Sequence, residues 1–212
     1  MAFEGLVAQV AAGLAQDRIS ELHRAFEVRT GSFGPDDPWF ESRSRAFWDD
    51  MMTRQGVTAE VLGDVDDAPS PDWTGALARW HRGLFQSRNV QGSVVLSDLW
   101  SGAELVVHEL DEASRDALAA PSGPFDGTVI AATDPVRLAL LPGAIFHAEE
   151  AEPAIAEVLT AARTRGLATG DVLDALLRME LSLQALSRVK PSYAYRPDAL
   201  RPPSPSGRDV AS

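Results

Sequence analysis

The chain has 212 residues, 45% of them hydrophobic and 24% charged, which are globular values and enough length for one compact domain with appendages. A formal net charge of −12 disfavours unaided binding to nucleic acid or an anionic membrane through the whole surface, and the absence of cysteine removes disulfides, thiolate metal sites and thiol catalysis. No run approaches the roughly 18 apolar residues of a membrane span, and the N-terminus carries Glu4 and no basic region, so the expected location is the cytoplasm.

Residues 3–29 read as one amphipathic helix, with Leu6, Val10, Leu14, Ile19, Leu22 and Phe26 at helical spacing and Gly13 weakening its middle. The segment from Thr30 to Gly34 breaks it. Asp37-Pro38 then restarts a helix, with a carboxylate at the N-cap and Pro at the first helical position. This second helix is expected to reach about Gln55, with Phe40, Phe47, Trp48 and Met51 facing inward, and to pair with the first as a hairpin. Residues 56–72 carry Glu60, Asp64, Asp66, Asp67 and Asp72 without the loop glycine and terminal Glu of an EF-hand, so they read as an acidic connector. Asp72 can cap a third helix striped by Ala76, Leu77, Trp80 and Leu84.

Leu84 to Leu110 is read as three strands separated by two short turns. Gln91-Gly92 and Ser101-Gly102 both place Gly second, where a two-residue hairpin turn needs a positive φ. With both turns taken as two residues long, Phe85, Val94, Leu96, Trp100, Ala103, Leu105 and Val107 share one face, expected to be the core side. The other face mixes Arg88, Ser97, Glu104 and His108 with Leu84, Val90, Val95, Leu99, Val106 and Leu110, so something is expected to cover half of it, either another part of this chain or a partner. Asp111 can cap a short helix, and a hairpin turning at Asp134-Pro135 adds two more strands before a bend at Pro142-Gly143. Residues 149–165 and 171–189 read as two further helices, with Gly166 as a C-cap between them. The prolines from Pro191 onward oppose regular structure.

The fold class expected is α+β: an N-terminal helical pair (1–83), a central small bent antiparallel sheet or SH3-like barrel of about five strands (84–147), a C-terminal helical pair (148–189) and a flexible, basic, Pro-rich tail (190–212). Together they form one compact domain plus tail.

Catalytic signals are sparse. No two of His23, His81, His108 and His147 have metal-ligand helical spacing, and neither a GxSxG elbow nor a Gly-rich phosphate loop occurs. His108-Glu109 and His147 with Glu149 and Glu150 could assemble a hydrolase-like acid/base pair in three dimensions. No cofactor or metal site is read from the sequence, and the expectation leans away from an enzyme. The five tryptophans and eight phenylalanines draw attention to Phe33, Trp39, Phe40, Phe47 and Trp48, which cluster around one loop and helix start. Core packing is the plain explanation. The functional one is an anchor patch for a protein partner, in which Trp39, Phe40 and Trp48 act with Arg43 and Arg45. Arg88 and His108 join the candidates from the mixed sheet face. Arg188, Lys190, Tyr193, Tyr195 and Arg196 join them from a locally basic C-terminal segment that could dock on an acidic surface or stack on single-stranded nucleic acid.

Of the 19 Lys and Arg residues only Lys190 is a lysine, which with abundant Ala, Gly and Pro points to a GC-rich bacterial source. The stretch Gly83 to Val107, with its LSDLWSGAEL run, resembles a strand–turn–strand element of pattern LxDLxTGExxxV in uncharacterised bacterial proteins. That resemblance supports the small bent sheet and implies no activity. The function expected from the sequence is a non-enzymatic protein-interaction or self-association module. The alternatives are nucleic-acid binding through the sheet and tail, then a His/carboxylate hydrolase.

Overall fold

The computed structural model describes residues 3–62, 73–110, 112–119, 123–133, 136–186 and 189–200. The acidic run 63–72, Asp111, the Asp134-Pro135 turn, Arg188 and residues 201–212 lie outside them. Within the described residues the N-terminal region contributes α1 (Phe3–Gly13), α2 (Gln16–Thr30), α3 (Phe40–Met52), α4 (Val57–Leu62) and α5 (Trp73–Ala78). The sheet consists of β1 (Trp80–Val90), β2 (Ser93–Asp98), β3 (Glu104–Val107), β4 (Phe125–Thr133), β5 (Val136–Leu140) and β6 (Ile145–Phe146), with α6 (Glu112–Ala119) inserted before β4. α7 (Glu152–Thr164) and α8 (Thr169–Ala185) follow. The mixed helix and antiparallel sheet agree with the α+β expectation.

The single helix expected over residues 3–29 is two. α1 ends at Gly13, where an added Cβ would come within 2.3 Å of Val61 Cγ1, so α4 crosses α1 closely at that point. Ala15 is extended (φ −63, ψ 139), and the chain turns before restarting. Asp37 does not cap α3. Its Oδ2 accepts the Gly34 N–H at 2.7 Å, tightening the loop instead, and α3 starts at Phe40.

The strands run in the order β3-β2-β1-β4-β5, all antiparallel, with β6 sharing the far edge of β4 beyond β5. The first turn is as expected. Val90 pairs with Ser93, and Gln91 and Gly92 have φ of 51° and 85°. The second turn is longer. Asp98 N–H bonds to Ala103 O, and the Asp98 carboxylate accepts the Trp100 N–H at 2.9 Å and the Ser101 hydroxyl at 2.5 Å. Leu99 to Gly102 therefore lie outside the ladder. β3 is displaced by two residues from the expected pairing, an even slip that keeps the residues still in the ladder on their expected faces. Phe85, Leu96 and Val107 are inside the curl, while Trp100 and Ala103 leave the core face assigned to them. The curl brings the two ends of the sheet together: His108 N–H bonds to Leu138 O at 2.8 Å and Leu140 N–H to Glu109 O at 3.2 Å. The result is a half-barrel.

Apolar side chains form three clusters. One fills the concave side of the sheet around Phe85, Phe125 and Leu140. A second unites the N-terminal helices with Ile130 and Leu141. The third joins α7 and α8 with Leu84 and, from the C-terminal segment, Ala194, Tyr195 and Leu200. The covering expected over half of the mixed sheet face thus comes from this chain. Residues 190–200 are not a free tail: Tyr195 is 2% exposed, because an apolar ring and two apolar neighbours find a groove on the helical layer.

Candidate functional site

β1 and β4 pair so that Trp80, Arg82 and Leu84 share their convex face with Ile130, Thr128 and Asp126. The N-terminal helices cover the Ile130 end and the C-terminal helices cover the Leu84 end. Between the two coverings the sheet presents Arg82, Asp126 and Thr128 to a pocket of about 380 Å³, within the range of small-ligand sites. α3 closes one side with Ala46, Asp49 and Asp50. α8 closes the other with Thr169, Gly170, Leu173 and Leu177.

The floor of this pocket is an ion network spanning the sheet and both helical layers. Arg82 grips Asp126 with two parallel bonds, Nε to Oδ1 and Nη2 to Oδ2, both 2.9 Å, and reaches Asp174 Oδ1 with Nη1 at 2.7 Å. Asp174 Oδ2 in turn accepts Arg29 Nη1 at 3.0 Å and Arg54 Nη1 at 3.3 Å, while Arg29 Nη2 bonds Asp50 Oδ2 at 2.7 Å. Burial opposes charge on Arg82, but Asp126 and Asp174 outweigh it and raise its pKa. Burial likewise opposes ionisation of Asp174, yet Arg82 and Arg29 together hold its carboxyl below the ordinary range. Arg29, Arg54 and Arg82 face Asp50, Asp126 and Asp174 within the network, where burial nevertheless raises the Asp126 pKa, and the buried Asp49 on the α3 wall accepts the Gly143 N–H at 2.8 Å. Of the charged side chains lining the pocket on this face, Arg54 reaches solvent furthest, at 38% exposed.

A second polar cluster lies nearby. Arg43, fully buried, ion-pairs with Glu180 and donates to Leu177 O at 2.7 Å and Thr30 O at 3.3 Å, joining α2, α3 and α8. His147 Nδ1 and the Tyr195 hydroxyl are 2.6 Å apart. Burial, with Arg43 adding to it, pushes the His147 pKa down to about 3, and burial followed by Glu180 pushes Tyr195 up.

The residues nominated from the sequence are dispersed. Arg43 and Tyr195 are internal and cannot meet a partner at the surface. Trp39 and Trp48 are half-buried against the N-terminal cluster, and Phe40, 37% exposed, packs on Phe33 at 6.1 Å. Arg45 pairs with Glu41 at 2.5 Å and Arg88 with Glu104 at 2.6 Å. His108 accepts the Leu138 N–H at 3.2 Å, and Glu109 meets Arg137, so His108 and His147 engage different partners. Lys190 and Tyr193 are exposed, and Arg196 is held by Asp198.

Sequence reasoning missed the ion network. Its only trace there is a charged residue inside an otherwise apolar run: Asp126 after Phe125, and Asp174 between Leu173 and Ala175 on the broad stripe of α8. Among the described residues no group of three or more His, Asp and Glu side chains could hold a metal ion, and no described helix is long and apolar enough to cross a membrane.

No family model, curated protein or solved structure matches this chain. Function has to be read from the pocket and its chemistry.

Proposed function

We propose that this protein is a non-enzymatic binding module that holds a small ligand on the convex face of the β1–β4 pair. The observation that supports the reading is the pocket itself, where an internally balanced ion network forms the floor and apolar side chains from α2, β1 and α8 form the walls. Such a floor is rigid and already satisfied, so a ligand can be seated without leaving a buried charge unanswered. Among the described residues lining the pocket, no hydroxyl is hydrogen-bonded to a side-chain base, which favours binding over turnover.

Protein interaction, the function expected from the sequence, would use Phe40, Arg45, Arg88, Lys190, Tyr193 and Arg196, which lie on three separate segments. Nucleic-acid binding meets the net charge of −12, and of its tail residues Tyr195 is internal and Arg196 is paired.

A pocket-filling variant tests the reading. Gly170 lines the pocket, an added Cβ there meets nothing within 4 Å, and its backbone is one that L residues adopt. Ligand-observed NMR against a library of small polar fragments should find binders of the wild type that lose affinity at least tenfold in Gly170→Phe. A library that does not distinguish the two proteins counts against the pocket.

A further inference from the structure

The accessible chemistry of the pocket is one-sided. Its carboxylates are buried: Asp50 is paired with Arg29 and Asp126 with Arg82, Asp49 accepts the Gly143 N–H with its Oδ2, and Asp174 of the adjoining network is held by Arg29, Arg54 and Arg82. A ligand entering from solvent therefore meets the half-exposed Arg54 rather than an available carboxylate. Arg54 is also the most weakly engaged guanidinium of the network, with one contact to Asp174 at 3.3 Å where Arg82 makes three at 2.9 Å or less. A guanidinium carries five N–H donors in a fork that matches a carboxylate, so Arg54 has donors to offer. Thr169 and Gly170, which also line the pocket, are the first two residues of the 17-residue α8, whose positive end favours an anion and is partly offset by Asp171 in the same turn. Trp80, 39% exposed, also lines the pocket, at the start of β1 on the same sheet face as Arg82. Phe26, Leu173 and Leu177 give the interior an apolar lining.

We infer that the ligand is a small carboxylate with a flat apolar body, its anionic end held by Arg54 and its body laid against Trp80. The inference rests on the pocket being a binding site. Small size matters, because the net charge of −12 repels a polyanion at long range while one buried carboxylate is answered locally.

Three probes of similar size and different charge test this: benzoate, benzamide and benzylamine, titrated into full-length protein labelled with 5-fluorotryptophan. Trp80→Phe assigns the Trp80 resonance. Benzoate is expected to move that resonance saturably and more tightly than the other two. Arg54→Gln should weaken benzoate about ten- to a hundredfold, the range for a charged hydrogen bond, and Arg54→Lys should recover part of it. Asp174 keeps Arg29 and Arg82 in both variants, so the fold is expected to persist, and a urea titration verifies it. If benzamide or benzylamine binds as well as benzoate, or if Arg54→Gln leaves benzoate affinity unchanged, the carboxylate assignment is overturned while the pocket stands. If none of the three probes moves the Trp80 resonance, both are overturned.

Discussion

His147 is held in a state that the unfolded chain does not share. Its imidazole is 2% exposed, its Nδ1 is engaged by Tyr195, and its pKa lies near 3 against an ordinary 6.5. Because the folded value is depressed, the unfolded chain binds a proton between these limits that the native protein does not. The stabilisation is complete above pH 6.5 and is lost as pH falls toward 3, at up to about 1.4 kcal/mol per pH unit. Through this group, urea unfolding at pH 6.5 and pH 5 should therefore differ by roughly 2 kcal/mol in the wild type. The difference should shrink sharply in His147→Gln, and an equal loss in both proteins would contradict the assignment. Arg43 makes the parallel case for a buried charge. Arg43→Met leaves Glu180 unanswered and should cost about 3–5 kcal/mol, most of it regained in Arg43→Met/Glu180→Met. A double variant as unstable as the sum of its parts would show that the pair is not coupled. Neither residue betrayed its position in the sequence. An Arg among Ser42, Ser44 and Arg45 reads as surface, and only the carbonyls of Thr30 and Leu177 with Glu180, from α2 and α8, make the interior tolerable for it.

Among the elements, local chemistry decided what could be read. The β1–β2 turn was legible because Gln91-Gly92 is a dipeptide suited to two positive φ angles. The β2–β3 turn was not, since the Asp98 side chain binds Trp100 and Ser101 and extends the loop to four residues. The expected faces survived only because the slip is even. Trp100 shows the consequence: outside the ladder it lies under the Arg163 guanidinium, 5.1 Å from the ring centroid, and Arg163 also donates to its carbonyl. The Pro142-Gly143 bend was expected, and the structure supplies its reason. Gly143 donates to Asp49 Oδ2 at 2.8 Å, and a Cβ there would sit 2.6 Å from Ala46 Cα, so only glycine lets the bend dock on α3. Gly143→Ala should destabilise the protein by about 1–3 kcal/mol, as overpacking does. Unchanged thermal unfolding would mean that α3 can retreat freely.

In the molecule as a whole, the sheet is a shared wall. Its concave side holds one apolar cluster, and its convex side divides between the N-terminal helices and α7–α8. The ion network and the pocket occupy the seam between those two coverings. That is why the site was illegible: Arg29, Arg54, Arg82, Asp126 and Asp174 belong to separate segments with no motif spacing, and only the assembled fold brings them together. The C-terminal segment was misread for a related reason, since its basic, Pro-rich composition conceals that Ala194, Tyr195 and Leu200 complete the α7–α8 cluster. A chain ending at Ser187 should unfold at clearly lower urea, with burial of Tyr195 and Leu200 contributing about 1.5–3 kcal/mol each. An unshifted midpoint would restore the free-tail reading.

The central claim, that the seam holds a small ligand, is tested most directly by native mass spectrometry of the full-length protein purified gently from its source cells, beside Gly170→Phe prepared identically. The account predicts a wild-type population carrying a small-molecule adduct that is lost on denaturation and absent from the variant. A bare protein mass in both, or an adduct that persists in Gly170→Phe, would contradict it.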